Sequence, residues 1–166
     1  VCIKVLKIFK KAFGDRIDMA PAMAKLESSG RLGKKNGKGF YNYSADGKRL
    51  DVDQTVYSAL GLGAATNPLS EQECVERGIF AMVNECALAF LQDKIVETAH
   101  EVDLAMIFGT GFAPFRGGLL KYADSVGADY IAKQLQHYHE KTKALRLRPT
   151  EPLKALAAQK GKFYSK

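Results

Sequence analysis

The sequence predicts an all-α fold with one short extended arm near residues 39–50. Three observations predict it. Apolar residues recur at helical spacing along most of the chain, two capping boxes (Ser70 to Glu73 and Thr98 to Glu101) open two of those runs, and the periodicity lapses mainly where glycine and basic residues crowd together at 31–43. Little else has strand character, so helix packed on helix is the expected architecture.

Val1, Val5, Ile8, Phe9 and Phe13 predict a helix over 1–13, with no capping residue in front of it. A chain that opens inside a periodic helix is expected to be a fragment, with the partner surface of that helix elsewhere. A second short helix is expected near 21–29, because Pro21 suits a first turn and Gly30 a C-terminal stop. Residues 31–43 then mix glycine, lysine and aromatics, and Asp46-Gly47 supplies a turn, which predicts a linker or hairpin. The helix opening at Ser70 carries Val75, Ile79, Met82, Val83, Cys86, Phe90 and Leu91. The one opening at Thr98 carries Val102, Ala105, Ile107 and Phe108 and is expected to stop at Gly109. Ile131, Leu135 and Tyr138 mark another helix, and beyond Pro149 a last one is expected from Thr150 to Gly161.

Between the Thr98 helix and the one marked by Ile131 lies Asp103 to Gly127, too rich in turn residues for a buried helix and too apolar for a loop. Gly109, Gly111, Pro114, Gly117 and Gly118 interrupt Ile107, Phe108, Phe112, Phe115, Leu119 and Leu120. A shaped corner between two helices, with core-forming side chains, is the expectation.

Bulk properties narrow the class. With 166 residues and 46% apolar composition the chain is long enough to bury a core, and no apolar run approaches the ~20 residues of a membrane span. The net charge of +7 is uneven: residues 1–50 hold 12 Lys/Arg against 4 Asp/Glu, residues 51–136 hold 5 against 12, and residues 137–166 hold 8 against 2. Solvated lysines on helix surfaces explain this most simply. Cys2, Cys74 and Cys86 form an odd set without metal spacing, and Cys74 and Cys86 lie about 18 Å apart along one helix. Buried apolar thiols in a reducing compartment are expected.

The suggestive clusters mostly lack the spacing that chemistry requires. Gly109-Thr-Gly111 has neither a preceding strand nor the third glycine of a dinucleotide fingerprint, and 33–39 lacks phosphate-loop spacing. His137 and His139, two apart on a helix, do not face each other, and His100-Glu101 is explained by the helix start. Asn84, mid-helix among apolar residues, is expected to satisfy a buried hydrogen-bond partner, and Arg116 to bond the nearby bends or else clamp an anion. Arg31, Lys34, Lys35 and Lys38 beside Phe40, Tyr41 and Tyr43 could pair phosphate neutralisation with stacking, against the plainer reading of core aromatics and solvated lysines. No catalytic, cofactor-binding or metal-ligating residue is assigned.

A faint repeat runs through the chain: Pro21 to Gly30 followed by Phe40-Tyr41 echoes Pro152 to Gly161 followed by Phe163-Tyr164, and the helices before them, 1–13 and 128–143, correspond in kind. Together with Gly30-Arg-Leu-Gly-Lys-Lys-Asn-Gly-Lys-Gly-Phe-Tyr41, Val83-Asn-Glu85, Asp103-Leu-Ala-Met106, Gly109-Thr-Gly-Phe-Ala-Pro-Phe-Arg-Gly-Gly118 and Tyr122-Ala-Asp124, this resembles the C-terminal region of the 3-hydroxyacyl-CoA dehydrogenase family. Its multifunctional fatty-acid β-oxidation members, which join that dehydrogenase to enoyl-CoA hydratase, are the most similar.

The resemblance implies a 6-phosphogluconate dehydrogenase C-terminal-like helical fold. Residues 1–43 would end a first helical repeat, 44–52 form a linker or hairpin, and 53–166 form a second helical domain. It implies that NAD, the catalytic His–Glu pair and the hydratase lie upstream, and that acyl-CoA, a thiolase subunit and a homo-oligomer are partners of the whole enzyme, in a bacterial-type cytoplasm. The family's substrate-contacting Asn precedes a later Asn-Glu by eight residues; counted back from Asn84, that place holds Glu76. A non-catalytic copy that packs, closes a cleft or oligomerises is therefore expected. The alternatives are a dimerisation domain of another hydroxy-acid dehydrogenase and a basic module for nucleic acid or acidic partners.

Overall fold

The computed structural model describes residues 2–17, 20–63 and 68–164. The chain divides into two compact units, Val1–Pro68 and Leu69–Lys166. Its helices are α1 (Cys2–Phe13), α2 (Pro21–Ser28), α3 (Thr55–Ala59), α4 (Glu71–Ala87), α5 (Ala99–Thr110), α6 (Leu119–Val126), α7 (Ala128–Thr142) and α8 (Glu151–Ala158). One antiparallel pair, β1 (Tyr41–Tyr43) and β2 (Arg49–Val52), is the extended arm. The all-α expectation holds.

In the first unit, α1 is amphipathic, yet Val5, Ile8, Phe9 and Phe13 on its apolar side are all exposed. Lys7 Nζ reaches Glu27 of α2 at 2.7 Å. The hairpin closes where the Gly47 N–H donates to the Ser44 carbonyl at 2.8 Å, and a register shift separates its two paired positions. Beside it the chain doubles back so closely that a Cβ on Gly39 would stand 2.9 Å from the Gly33 Cα, leaving no room for a side chain. Helix α3, which lacks a periodic signal at five residues, buries Val56, while Leu60 just beyond it is also buried.

The second unit holds a continuous core. Phe80 and Val83 of α4, Leu119 and Leu120 of α6, Ile131 and Leu135 of α7, Leu147, and Leu153 of α8 are essentially inaccessible to solvent. Helix α5 carries the full capping box: Glu101 N–H donates to Thr98 Oγ1, and the Glu101 carboxylate accepts from Thr98 N–H. At α4 only half of the expected box forms. Ser70 accepts from Glu73 N–H, while the Glu73 carboxylate turns outward to Lys141 at 2.9 Å and Arg77 at 3.5 Å. Two cations outcompete one backbone donor.

Other expectations are corrected. Helix α5 runs through Gly109 to Thr110, because the left-handed residue that ends it is Gly111 (φ +74°). The corner contains a helix of its own, α6, after a single 3₁₀ turn at Pro114–Arg116. Of its apolar side chains Leu119 and Leu120 are buried, whereas Phe108 and Phe115 are each 84% exposed. Val75 is likewise outward-facing. After Ala87 the α4 backbone widens into a π turn, Leu88–Gln92, which takes up Phe90 and Leu91. Cys74 is exposed rather than buried and Cys86 is partly buried; Val1 and the Cys2 side chain lie outside the described residues.

Candidate functional site

The corner is organised by one carboxylate. Asp103, an acidic residue among Leu104, Ala105 and Met106, is buried at 3% exposure and accepts from Leu120 N–H at 2.6 Å, Lys121 N–H at 3.1 Å and the Tyr164 hydroxyl at 2.7 Å. It thus occupies the electropositive start of α6, the place where an anionic ligand would otherwise sit. Gly118 has φ +112°, and a Cβ there would lie 2.3 Å from Asp103 Cβ and Cγ. The glycine is required by both the conformation and the approach of this carboxylate.

Asp124 completes a clasp around the end of the second unit, accepting from Phe163 N–H at 2.8 Å and Tyr164 N–H at 3.0 Å. His100 stands edge-on to the Tyr164 ring, with centroids 4.8 Å apart. Burial, then the bond to Asp103, pushes the Tyr164 hydroxyl far above the ordinary phenol range. Asp103-Leu-Ala-Met106 and Tyr122-Ala-Asp124, far apart in sequence, therefore perform one structural task.

Glu76, at the position where the resemblance places a substrate-contacting Asn in the other repeat, is buried in a hydrogen-bond network. It accepts from Tyr130 at 2.9 Å, Gln72 at 2.9 Å and the Tyr138 hydroxyl. Burial raises its pKa, but the bonds from Tyr138, Gln72 and Tyr130 outweigh that and hold the carboxyl below its usual value. Burial and the same carboxylate push Tyr138 well above the phenol range. Every identified partner is a neutral donor, which suits a permanently ionised structural carboxylate.

Asn84 is 2% exposed and bridges to the segment before α8: its Nδ2 donates to the Arg148 carbonyl at 2.9 Å, and its Oδ1 accepts from Thr150 N–H at 2.8 Å. This is the buried partner its sequence position predicts. Among the described residues the Arg116 side chain makes no hydrogen bond to the bends. Its guanidinium lies over the rings of Phe115 at 5.6 Å and Tyr122 at 5.5 Å.

The other candidate clusters come apart. Arg31 leaves the basic run and turns inward, donating to Asp53 Oδ2 at 2.7 Å, to the Gly39 carbonyl at 2.8 Å and to Thr55. Bonds from Thr55 and then Arg31 lower the Asp53 carboxyl to about 2. Lys34, Lys35 and Lys38 stay exposed, and Phe40 is half-exposed rather than a core anchor. His139 Nδ1 pairs with the Ala144 carbonyl at 2.9 Å. Gly109-Thr-Gly111 ends a helix instead of opening one, so these residues do not fit a dinucleotide. Among the described residues no group of three His, Cys, Asp or Glu could hold a metal ion, and no helix is long and apolar enough to cross a membrane.

Sequence reasoning missed the Asp103–Tyr164 and Glu76–Tyr130–Tyr138 networks. A usable signal was present in each: an acidic residue on an apolar helix face, and two tyrosines eight apart on one face of α7.

The fold is that of a helical domain with one short two-stranded arm. No family model matches the chain. It is 40% identical over 162 residues to the fatty acid oxidation complex subunit alpha of Shewanella oneidensis, and 38% identical over 163 residues to that of Shewanella loihica. The subunit of Shewanella amazonensis is 40% identical over 162 residues. Each match covers 97% of this chain and 22% of the relative, so the chain spans about a fifth of the length of the curated relatives it matches. It corresponds to the C-terminal region of fatty acid oxidation complex α subunits.

Proposed function

We propose that this chain is a non-catalytic helical support for a fatty-acid β-oxidation enzyme that oxidises (3S)-3-hydroxyacyl-CoA to 3-ketoacyl-CoA. The C3 hydride passes to NAD and the hydroxyl proton to a base, both supplied by domains outside this chain. The carrying observation is the state of Glu76. Where a substrate-binding repeat would present Asn, this copy buries a carboxylate under two tyrosines and a glutamine. The buried partners of Asn84 and the filled start of α6 support the same reading.

Residues 1–43 are then the end of a first repeat, 44–52 complete the hairpin that β1 begins, and the second helical domain, expected from 53, has its compact unit at Leu69–Lys166, with Asp53, α3 and Leu60 belonging to the first unit. The relatives' name, subunit alpha of a complex, supports a further subunit, which the resemblance makes a thiolase. Bacterial relatives support a bacterial cytoplasm. The direct test follows NADH absorbance with the purified chain, NAD and (3S)-3-hydroxybutyryl-CoA. No turnover is expected, while the homologous α subunit loses dehydrogenase activity when this region is removed. Turnover by the chain alone, or undiminished activity of the deleted subunit, overturns the proposal.

A further inference from the structure

Asn36 is the one asparagine of the chain that precedes a glycine. It is exposed, in the turn that the Gly33 N–H closes by donating to the Lys38 carbonyl at 2.8 Å. Its side chain is held at three points. Oδ1 accepts from Leu32 N–H at 3.2 Å and from Lys38 N–H at 3.4 Å, and Nδ2 donates to the Gly30 carbonyl at 2.8 Å. The bond from Lys38 folds the carboxamide along the chain, over the Gly37 peptide. Two backbone donors thus converge on the oxygen that gains charge when a nucleophile adds to Cγ, the arrangement of an oxyanion hole.

The nucleophile is adjacent. No hydrogen bond among the described residues takes up the Gly37 N–H, and a Cβ added there would meet nothing within 4 Å, so base and water reach this nitrogen. The exposed Lys34, Lys35 and Lys38 surround the turn with positive charge, which favours loss of its proton.

We propose that Asn36-Gly37 is a self-modification site, at which the folded loop converts Asn36 through a cyclic imide to aspartate and isoaspartate. The Gly37 nitrogen gives its proton to hydroxide and bonds to Cγ, and the carbonyl electron pair moves onto Oδ1 between the Leu32 and Lys38 N–H groups. Return of that pair breaks the Cγ–Nδ2 bond, and Nδ2 leaves as ammonia with a proton from water. A second water opens the imide at either carbonyl, giving aspartate or the isomer whose backbone runs through Cγ. Both products replace the donor to Gly30 with a carboxylate oxygen. Isoaspartate also adds a backbone atom to a loop whose strands already approach so closely that a Cβ on Gly39 would stand 2.9 Å from the Gly33 Cα. The loop between α2 and β1 then opens, and its new carboxylate is a substrate for an isoaspartate-directed methyltransferase.

Asp46-Gly47 supplies an internal contrast. It too is exposed and precedes a left-handed glycine, yet Asp46 accepts from the Ser44 hydroxyl and pairs with Lys48 Nζ at 3.0 Å. The bonds from Ser44 and then Lys48 hold its carboxyl below the ordinary value, and an ionised carboxylate resists attack.

Incubation of the complete 166-residue chain in mildly alkaline buffer tests this, read by peptide mapping and by methyl transfer from S-adenosylmethionine with a purified isoaspartyl methyltransferase. Conversion at Asn36 is expected at least tenfold faster than at Asn42 or Asp46, rising with pH, while far-ultraviolet circular dichroism shows the chain folded. Gly37→Ala lowers it at least tenfold. An unmodified Asn36, or a Gly37→Ala variant that converts as fast as the parent, overturns the proposal. So does a rate in the folded chain more than tenfold below that in urea, because the three bonds would then guard the amide instead of activating it. None of these readouts involves NADH, so failure here leaves the support role standing.

Discussion

The two units solve the problem of stability differently. The second surrounds a continuous apolar core with helices and places its buried polar groups, Asp103, Asn84 and Glu76, where each bridges distant segments. Among its described residues the first buries few apolar side chains beyond Val56 and Leu60 and is knotted by Arg31, Asp53 and Thr55, while Val5, Ile8, Phe9 and Phe13 of α1 are exposed. The eight-residue helices α2 and α8, which the sequence echo pairs, show the contrast: α2 has no buried residue, whereas α8 buries Leu153. Similar helical sequence becomes core only where neighbours cover it.

Substitutions can break or sharpen this contrast. The largest effect is expected from Gly118→Ala, which places a Cβ against Asp103 at a left-handed φ and should cost the second unit about 4 kcal/mol or more. Calorimetry reads this as loss of the main unfolding transition; an unchanged transition would show that the corner relaxes freely. Asn84→Ala strands the Arg148 carbonyl and Thr150 N–H, with an expected cost of about 2–4 kcal/mol by denaturant titration.

In the first unit, Arg31→Ala should lower amide-exchange protection of residues 41–52 at least tenfold, with α4 as internal reference. The acid response has a definite sign. Because the folded-state pKa of Asp53 is depressed to about 2, its contribution is complete above the ordinary Asp value near 4 and is lost as pH falls from there to about 2. Hydrogen exchange that is flat through that window would remove the knot as a stabilising feature. The smallest effect is chemical: in a Cys2→Ser background a thiol reagent should modify exposed Cys74 well before Cys86, whose thiol burial, with Asp103 and Glu85 nearby, pushes up to about 11.

Much of the helix order was legible in sequence because caps and periodicity are local. The Thr98–Glu101 box forms as written, and the predicted partner of Asn84 exists. Helix α6 was not legible, because Leu119–Val126 begins directly after two glycines and takes its N-terminal cap from Asp103, a residue on a different helix. Phe108 and Phe115 depart from the core expectation for a related reason. Hydrophobicity says that a side chain prefers burial, but not whether this chain supplies the cover.

By itself the sequence determined the capped and periodic helices, though not α3 or α6, where glycine must bend the backbone, and the kinship with fatty acid oxidation complex α subunits. Those properties reside in short runs of residues. Only the tertiary structure decided the fate of the charged and polar groups: Glu76 closed off by tyrosines, Arg31 withdrawn from the basic run, and Asp103 filling a helix start. Each outcome depends on donors and acceptors brought from distant positions, because a buried charge is tolerated only where its partners converge.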